Sequence, residues 1–302
     1  MSIGRILLTG KNGQVGWELQ RTLATLGEVI ALDRHGMDLT NPDSIRRVIR
    51  EIKPTLIVNA AAYTAVDKAE SEPDLAMAVN GVAPGILAEE AKRLSAAMVH
   101  YSTDYVFDGK KDGPYVEDDP PNPLNVYGKT KLEGERAIQA VGVPHLIFRT
   151  SWVYGARGKN FLLTILRLAR QQEELKIVDD QIGAPTWSRM IAQSTAHVLT
   201  HISCHEKALQ DYSGIYHLAA TGKTSWFEFA GAILEWAKIK PGYKATVLRP
   251  IATHEYPTVA ERPKHSAMSN HKAAEKFSLN IPSWQFMLDL CMFDMDYLAP
   301  RL

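Results

Sequence analysis

Apolar and polar positions along the first half of the chain fall into a steady alternation of short hydrophobic runs and longer amphipathic stretches. Arg5-Ile6-Leu7-Leu8-Thr9 predicts a buried strand; a glycine-rich turn follows it, and residues 15–26 carry helical spacing. Residues 28–32 predict a second strand and 43–53 a second helix, with Asp43 as its cap. Residues 55–59 repeat the strand pattern, and 74–94 read as one long helix. Further strands are expected at 98–101 and 145–149, separated by a helix over 126–140. Strands with almost no polar alternation, interleaved with helices, imply a parallel sheet covered on both faces.

After Thr150 the rhythm changes. Helical patterns dominate at 161–172, 187–201 and 225–238, with short strands expected at 175–178 and 214–217. The break predicts two domains: 1–150, and a smaller C-terminal domain over 151–302 from which later segments return to the sheet. The cluster Asp118-Asp119-Pro120-Pro121-Asn122-Pro123 is a rigid loop, because the alternating pattern resumes beyond it.

Composition narrows the picture. A chain of 302 residues, 45% hydrophobic and 23% charged, is long enough for two domains and apolar enough for a sizeable core. Thirty-four Lys and Arg balance 34 Asp and Glu, and nucleic-acid binding is argued against because phosphate neutralisation needs a basic excess. Cys204 and Cys291 are too far apart in sequence to suggest a disulfide framework or a thiolate cage. No run reaches the roughly 18 apolar residues a bilayer needs, and Ile6-Leu7-Leu8 is too short for a signal peptide. A soluble, cytoplasmic protein is expected.

Chemistry enters at Gly10-Lys11-Asn12-Gly13-Gln14-Val15-Gly16, which closes the first strand and opens the first helix. A dinucleotide pyrophosphate needs backbone N–H groups at a helix N-terminus, and a Cβ in the turn would block its approach. Asp33, about 20 positions on at the end of the second strand, is placed to bond a ribose hydroxyl. Strand, turn, helix, strand and acid in that order predict a doubly wound, Rossmann-type α/β fold that binds NADH or NADPH. Asp33 favours the first cofactor and the adjacent Arg34 admits the second.

Tyr127 and Lys131 stand one turn apart on the predicted 126–140 helix. A cation near a phenol favours the phenolate, so the pair is a candidate for proton exchange with a carbonyl oxygen. Thr103, with Ser102 as its competitor, lies at the ligand-binding end of the 98–101 strand and could hold the same oxygen.

With these motifs the sequence resembles the extended short-chain dehydrogenase/reductases, and within them the branch that reduces the C4 ketone of a dTDP-linked 6-deoxy-hexulose. The resemblance rests on Gly10 to Gly16 with its Gln14, on the run from Asn59 to Glu70, and on Tyr101-Ser102-Thr103-Asp104-Tyr105-Val106-Phe107. Asn125-Val126-Tyr127-Gly128-Lys129-Thr130-Lys131 and Arg149-Thr150-Ser151-Trp152-Val153-Tyr154 complete it. It implies cofactor contacts at Gly10, Gly13, Gln14, Val15, Gly16, Asp33, Asp38, Leu39, Ala62, Tyr63 and Thr64. It further implies Tyr127 as proton donor, Lys131 as its partner holding the nicotinamide ribose, and Thr103, Asp104 and Trp152 as contacts to the sugar nucleotide. Asn80 matches an asparagine that braces the sheet near the site. Arg262 either reaches the diphosphate or is a surface arginine.

Some members of the family bind Mg²⁺ between subunits through carboxylates. Glu18 matches one such position, but Trp187-Ser188-Arg189 offers no acid, so no metal and a monomer or weak homodimer are expected. The alternatives are a nucleotide-sugar 4-epimerase, which typically carries an aromatic where Gln14 stands, and a non-catalytic regulatory subunit of the same fold. His197, His201 and His205 recur at helical spacing beside Cys204, but they suit a helix C-terminus better than a zinc face. Trp226, Phe227, Phe229 and Trp236 are read as an apolar packing face.

Overall fold

The computed structural model describes residues 3–204, 209–238, 242–245 and 247–298. The first half runs β1 (Arg5–Thr9), α1 (Gln14–Thr22), β2 (Glu28–Leu32), α2 (Pro42–Ile52) and β3 (Leu56–Asn59). Two short helices follow, α3 (Val66–Ala69) and α4 (Pro73–Met77), then α5 (Ala83–Arg93), β4 (Ala97–Thr103), α6 (Val126–Val141) and β5 (His145–Thr150). The second half contains β6 (Val153–Tyr154), α7 (Phe161–Gln171), β7 (Glu174–Val178), β8 (Ile182–Gly183), β9 (Thr186–Trp187) and α8 (Ser188–Cys204). It ends with β10 (Gly214–His217), β11 (Thr224–Ser225), α9 (Trp226–Lys238), β12 (Val247–Ile251), α10 (His271–Phe277) and α11 (Trp284–Leu298).

Six strands form one parallel sheet in the order β10-β5-β4-β3-β1-β2. Successive strand residues point to opposite faces, so Ile6 and Leu8 of β1 join one cluster and Leu7 joins the other. The first cluster includes Leu19 and Leu23 at α1 and Ile191 and Val198 of α8; the second includes Ile45 and Ile49 of α2 with Ile86 and Leu87 of α5. Each such buried side chain stabilises by about 1.5–3 kcal/mol, against about 1 kcal/mol for a helix cap. The sandwich of sheet and helices therefore sets the fold, and the caps only trim it.

Two local expectations are corrected. Asn41, not Asp43, caps α2: its carbonyl accepts from the N–H groups of Asp43 and Ser44, because Pro42 occupies the first helical position. The long helix over 74–94 is interrupted by a π-helical turn at Ala78–Val82. Pro84 has no N–H to give the carbonyl of residue 80, and the wider turn absorbs that gap. Asn80 rides on this turn, 1% exposed.

The chain leaves β1 toward β2 on one side and reaches β3, β4, β5 and β10 on the other, so the order reverses beside β1. In open α/β sheets, ligands bind at the carboxyl ends of the strands next to such a reversal. Thr9, Asn59, Thr103 and Thr150 end their strands at this edge. The smaller pairs β6·β9, β7·β12 and β8·β11 belong to the second half of the chain, while β10 adds a strand to the main sheet and α8 packs on α1.

Candidate active site

The turn between β1 and α1 is built for close approach. Gly10 has φ +73°, and a Cβ on Gly16 would sit 2.1 Å from the Gly10 carbonyl oxygen. Gly13 caps α1 without any side-chain bond, which leaves the first N–H groups of the helix to an anionic ligand. The donor set and the space fit a dinucleotide pyrophosphate. Val15 packs on the core below, while Gln14 ties the turn to the far side of the cleft. Its amide donates to the Val153 carbonyl at 3.2 Å and accepts from Asn160 at 2.8 Å.

Asp33 stands at the end of β2 beside this turn. Lys11 Nζ is 3.3 Å and Asn12 Nδ2 3.4 Å from its carboxylate. The Gly36 N–H first, then Lys11 and the His35 N–H, hold its carboxyl below the usual range. A cation thus touches Asp33 from within the glycine turn itself, whereas the exposed Arg34 faces Asp38. Asp38 is bonded within its own loop, accepting from the N–H and hydroxyl of Thr40 at 2.9 and 2.8 Å, and Leu39 packs on the second cluster. Ala62, Tyr63 and Thr64 form the loop after β3. Asn80 clasps that loop, accepting from the Tyr63 N–H at 2.9 Å and donating to its carbonyl at 3.0 Å, and it also donates to Thr130 of α6 at 3.3 Å.

Helix α6 carries Tyr127 and Lys131. Asn125 caps it by accepting from the Gly128 N–H at 2.8 Å, and Glu70 accepts from the Val126 N–H at 2.8 Å. Tyr127 keeps part of its surface open, yet burial of its hydroxyl pushes the pKa up to about 12; a hydrogen bond with Thr103 opposes this and Asp104 adds to it. Thr103 is therefore the hydroxyl brought to Tyr127, whereas Ser102 Oγ is enclosed without a partner among the described residues. Lys131 is 1% exposed, and burial, opposed by Glu135, lowers its pKa to about 8. The expected depression of the Tyr127 pKa by Lys131 is not what this geometry gives. Desolvation dominates, and Lys131 Nζ is engaged by the Tyr101 carbonyl at 2.6 Å and by His100 Nε2 at 3.3 Å.

The second half of the chain closes over these groups. Asp104 is 2% exposed; it accepts from Ser151 Oγ at 2.8 Å and Thr103 Oγ1 at 3.1 Å. Burial raises its carboxyl to about 6, against the hydrogen bonds of Ser266, Ser151 and Thr103. Arg262 is not a surface arginine. Its side chain is 15% exposed, Nη2 lies 2.8 Å from Asp67, and Nη1 is buried without a partner among the described residues. Its guanidinium carbon is 5.8 Å from the Tyr105 ring, which meets Tyr127 edge-on at 5.6 Å. Trp152 holds φ +45°, a conformation that costs about 1–3 kcal/mol outside glycine, and its ring stacks on Trp226 at 3.5 Å. A Cβ at Gly183 would fall 2.3 Å from that ring. Trp226, read as part of a packing face, therefore packs on Trp152, while Phe229 is core at 0% exposure.

Lys11, Asp67, His100, Tyr105, Trp226 and Ser266 were not among the sequence-predicted residues. Only Lys11 carried a local signal, as a cation inside the glycine turn. The others depend on partners distant in sequence.

A bridging Mg²⁺ does not fit this chain. Arg189 Nε is 3.3 Å from Glu18, and Nη1 bonds Asp294, so a guanidinium already occupies the one carboxylate that matches a metal position and its neighbour. Among the described residues no group of three or more His, Cys, Asp or Glu side chains could hold a metal. Of the histidine series, His197 lies 3.1 Å from the Phe277 carbonyl through Nε2, His201 meets the Tyr212 and Phe277 rings edge-on, and His205 lies outside the described residues.

Fold and site together define a Rossmann-type dinucleotide-binding protein of the extended short-chain dehydrogenase/reductase kind. The chain belongs to the family described as the RmlD substrate binding domain, whose model matches residues 4–296. It is 50% identical over 294 residues to the dTDP-4-dehydrorhamnose reductase of Burkholderia thailandensis, covering 96% of this chain and 99% of that one. The crystal structure of dTDP-4-dehydrorhamnose reductase from Bacillus anthracis, in complex with NADP, superposes with a TM-score of 0.88 at 36% identity, over 97% of this chain and all of that one. A UDP-glucose 4-epimerase of Thermus thermophilus with NAD shares the fold alone, at 19% identity and a TM-score of 0.78 over 98% of this chain and all of that one. Among the described residues no helix is long and apolar enough to cross a membrane.

Proposed function

We propose that this chain catalyses the reduction of dTDP-4-dehydrorhamnose to dTDP-L-rhamnose, the last step of dTDP-rhamnose synthesis, with NADPH as hydride donor and NADH as the alternative. The convergence of Tyr127, Thr103 and Lys131 beside the glycine turn carries the reading, and the extent of identity to the named reductases supports the choice of sugar. Residues 1–150 supply the dinucleotide site, and 151–302 mainly the sugar-nucleotide site. The protein works in the cytoplasm as a monomer or weak homodimer, and the internal Arg189 bridge supports an assembly that needs no metal.

Bound NADPH supplies a hydride to the C4 carbon of the sugar. Gly10, Gly13, Gln14, Val15 and Gly16 would hold the pyrophosphate, and Asp33, its charge offset by Lys11, would hold the adenosine ribose. This offset is what makes a 2′-phosphate tolerable next to an acid. Tyr127 and Thr103 both reach the C4 oxygen; a phenol with its pKa near 12 stays proton-loaded at neutral pH and delivers its proton to the developing alkoxide. Lys131, one turn further along α6, would hold the nicotinamide ribose. Asp104 and Trp152 hold the sugar, and the orphan Nη1 of Arg262 receives a diphosphate oxygen.

Loss of the reduced-nicotinamide absorbance on adding dTDP-4-dehydrorhamnose tests this. The wild type consumes NADPH stoichiometrically, and Tyr127→Phe slows turnover by roughly 10²–10⁴-fold. An epimerase would show no net consumption, and full activity in Tyr127→Phe would refute the assignment of the proton donor.

A further inference from the structure

Behind Lys131 lies a buried hydrogen-bonded chain that the reaction above does not use. Lys131 Nζ is 3.3 Å from His100 Nε2, and His100 Nδ1 is 3.0 Å from Asn59 Nδ2. The Asn59 carbonyl oxygen accepts from the Thr9 hydroxyl at 2.6 Å, and Thr9 Oγ1 accepts from the Ala61 N–H at 3.3 Å. All four side chains are at most 2% exposed. The parallel register sets Thr9 beside Asn59 and Asn59 beside His100, so the chain crosses β1, β3 and β4 from the glycine turn to α6.

Counting donors shows what this chain links. A neutral imidazole has one N–H and one lone pair, and an ammonium has three N–H groups and no lone pair. With Asn59 Nδ2 donating to Nδ1, the ring proton sits on Nε2 and faces Lys131, which is then the free amine. With the Asn59 amide turned over, Nδ1–H donates to its carbonyl and Nε2 accepts from Lys131 as the ammonium. Burial, with Lys131 adding to it, holds the His100 pKa well below the usual histidine value, so the ring is neutral in both states. The two states differ by one proton, carried on Lys131 Nζ.

We infer that Asn59 and His100 are positioning residues for Lys131, and that the His100 tautomer is linked to whether the lysine carries its proton. The inference rests on the role given to Lys131 above. The charged and titratable groups around the pair are few. On α6 they are Tyr127 and Glu135, the latter paired with Arg149 of β5. Tyr101 of β4 is bonded away to Thr195 of α8. Asp104 and Tyr105 follow β4, and Asp104, with its carboxyl near 6, governs the acid side of a pH profile rather than the alkaline side.

The test is the pH dependence of kcat in wild type, His100→Leu, His100→Gln and Asn59→Asp. Losing the acceptor in His100→Leu moves the alkaline limb down by about one pH unit. His100→Gln, whose carbonyl reaches the place of Nε2, restores it. Asn59→Asp, which accepts only from Nδ1–H, moves it up by about as much. A ¹³Cε-lysine NMR titration, with Lys131 assigned by its loss in Lys131→Met, reads the same shifts without turnover. If the wild type does not oxidise NADPH with the dTDP-sugar, the proposed function fails while this titration still decides the inference. Should His100→Leu not fold, Asn59→Asp and His100→Gln carry the comparison. Superimposable Lys131 titrations in wild type, Asn59→Asp and the folded His100 variants overturn it.

Discussion

Helix α6 buries one ionisable group and meets a second one turn later, and the two are treated in opposite ways. Glu135 accepts two hydrogen bonds from Arg149 of β5, at 3.0 and 2.7 Å, both side chains at most 2% exposed, with the Phe107 ring 5.1 Å from the guanidinium. Lys131 is as deeply buried but, among the described residues, has no carboxylate within bonding distance; its partners there are a backbone carbonyl and a neutral imidazole. A buried charge with a matched partner holds structure together, while one without a partner sits close to giving up its proton. In the proposed reaction the first belongs to the frame of the site and the second to its chemistry.

The largest effect that separates them is on turnover. Lys131→Met is expected to reduce kcat by about 10²–10⁴-fold while the protein stays folded, read by steady-state kinetics alongside thermal melting. Its melting temperature should be unchanged or raised by about 2–4 °C, because a desolvated ammonium is replaced by an apolar chain of similar length. Wild-type stability should also gain on Lys131→Met between about pH 8 and 10.5. Over that window the native lysine has lost the proton that the unfolded chain still holds.

Glu135→Ala should do the reverse. Leaving Arg149 buried and unpaired costs about 3–5 kcal/mol, a fall in melting temperature on the order of 10 °C. The double change Glu135→Leu with Arg149→Met should recover most of that loss. If instead Glu135→Ala melted like wild type, the contrast between the two cations would collapse.

Much of this site is local in sequence, and that part was readable. The glycine turn spans seven residues, and Tyr127 and Lys131 are one helical turn apart, so spacing alone brings each set together. The parallel sheet was readable for the same reason, since uninterrupted apolar runs signal burial on both faces. What escaped depends on distant pairings. Asp67 and Arg262 meet across 195 positions, and Trp152 finds Trp226 only after β8 and β11 pair. His100 looked like one more residue of a buried strand, because nothing local says that its ring meets Lys131. The α2 cap at Asn41 and the π turn before Pro84 both follow from a proline near a helix start, which apolar spacing does not register.

A smaller effect concerns a further buried ionisable group, Asp104. Its carboxyl sits near 6 because burial outweighs three hydroxyl contacts, so the native state keeps a proton where the unfolded chain has lost it. Stability should therefore fall as pH rises from about 4 to 6, by on the order of 3 kcal/mol, and Asp104→Asn should remove that slope. Denaturant melts at pH 4, 5, 6 and 7 for both proteins check it. A parallel pH dependence in the two would show that Asp104 is solvated like an ordinary carboxylate.

In the proposed reaction, hydride passes to the C4 carbon of a dTDP-sugar held at the Tyr127 edge of the sheet. Turnover of dTDP-4-dehydrorhamnose with NADPH deuterated at the transferring position tests it most directly. The expected product is dTDP-L-rhamnose carrying one deuterium at C4. A product without label, or a nicotinamide that keeps its deuterium, would contradict it.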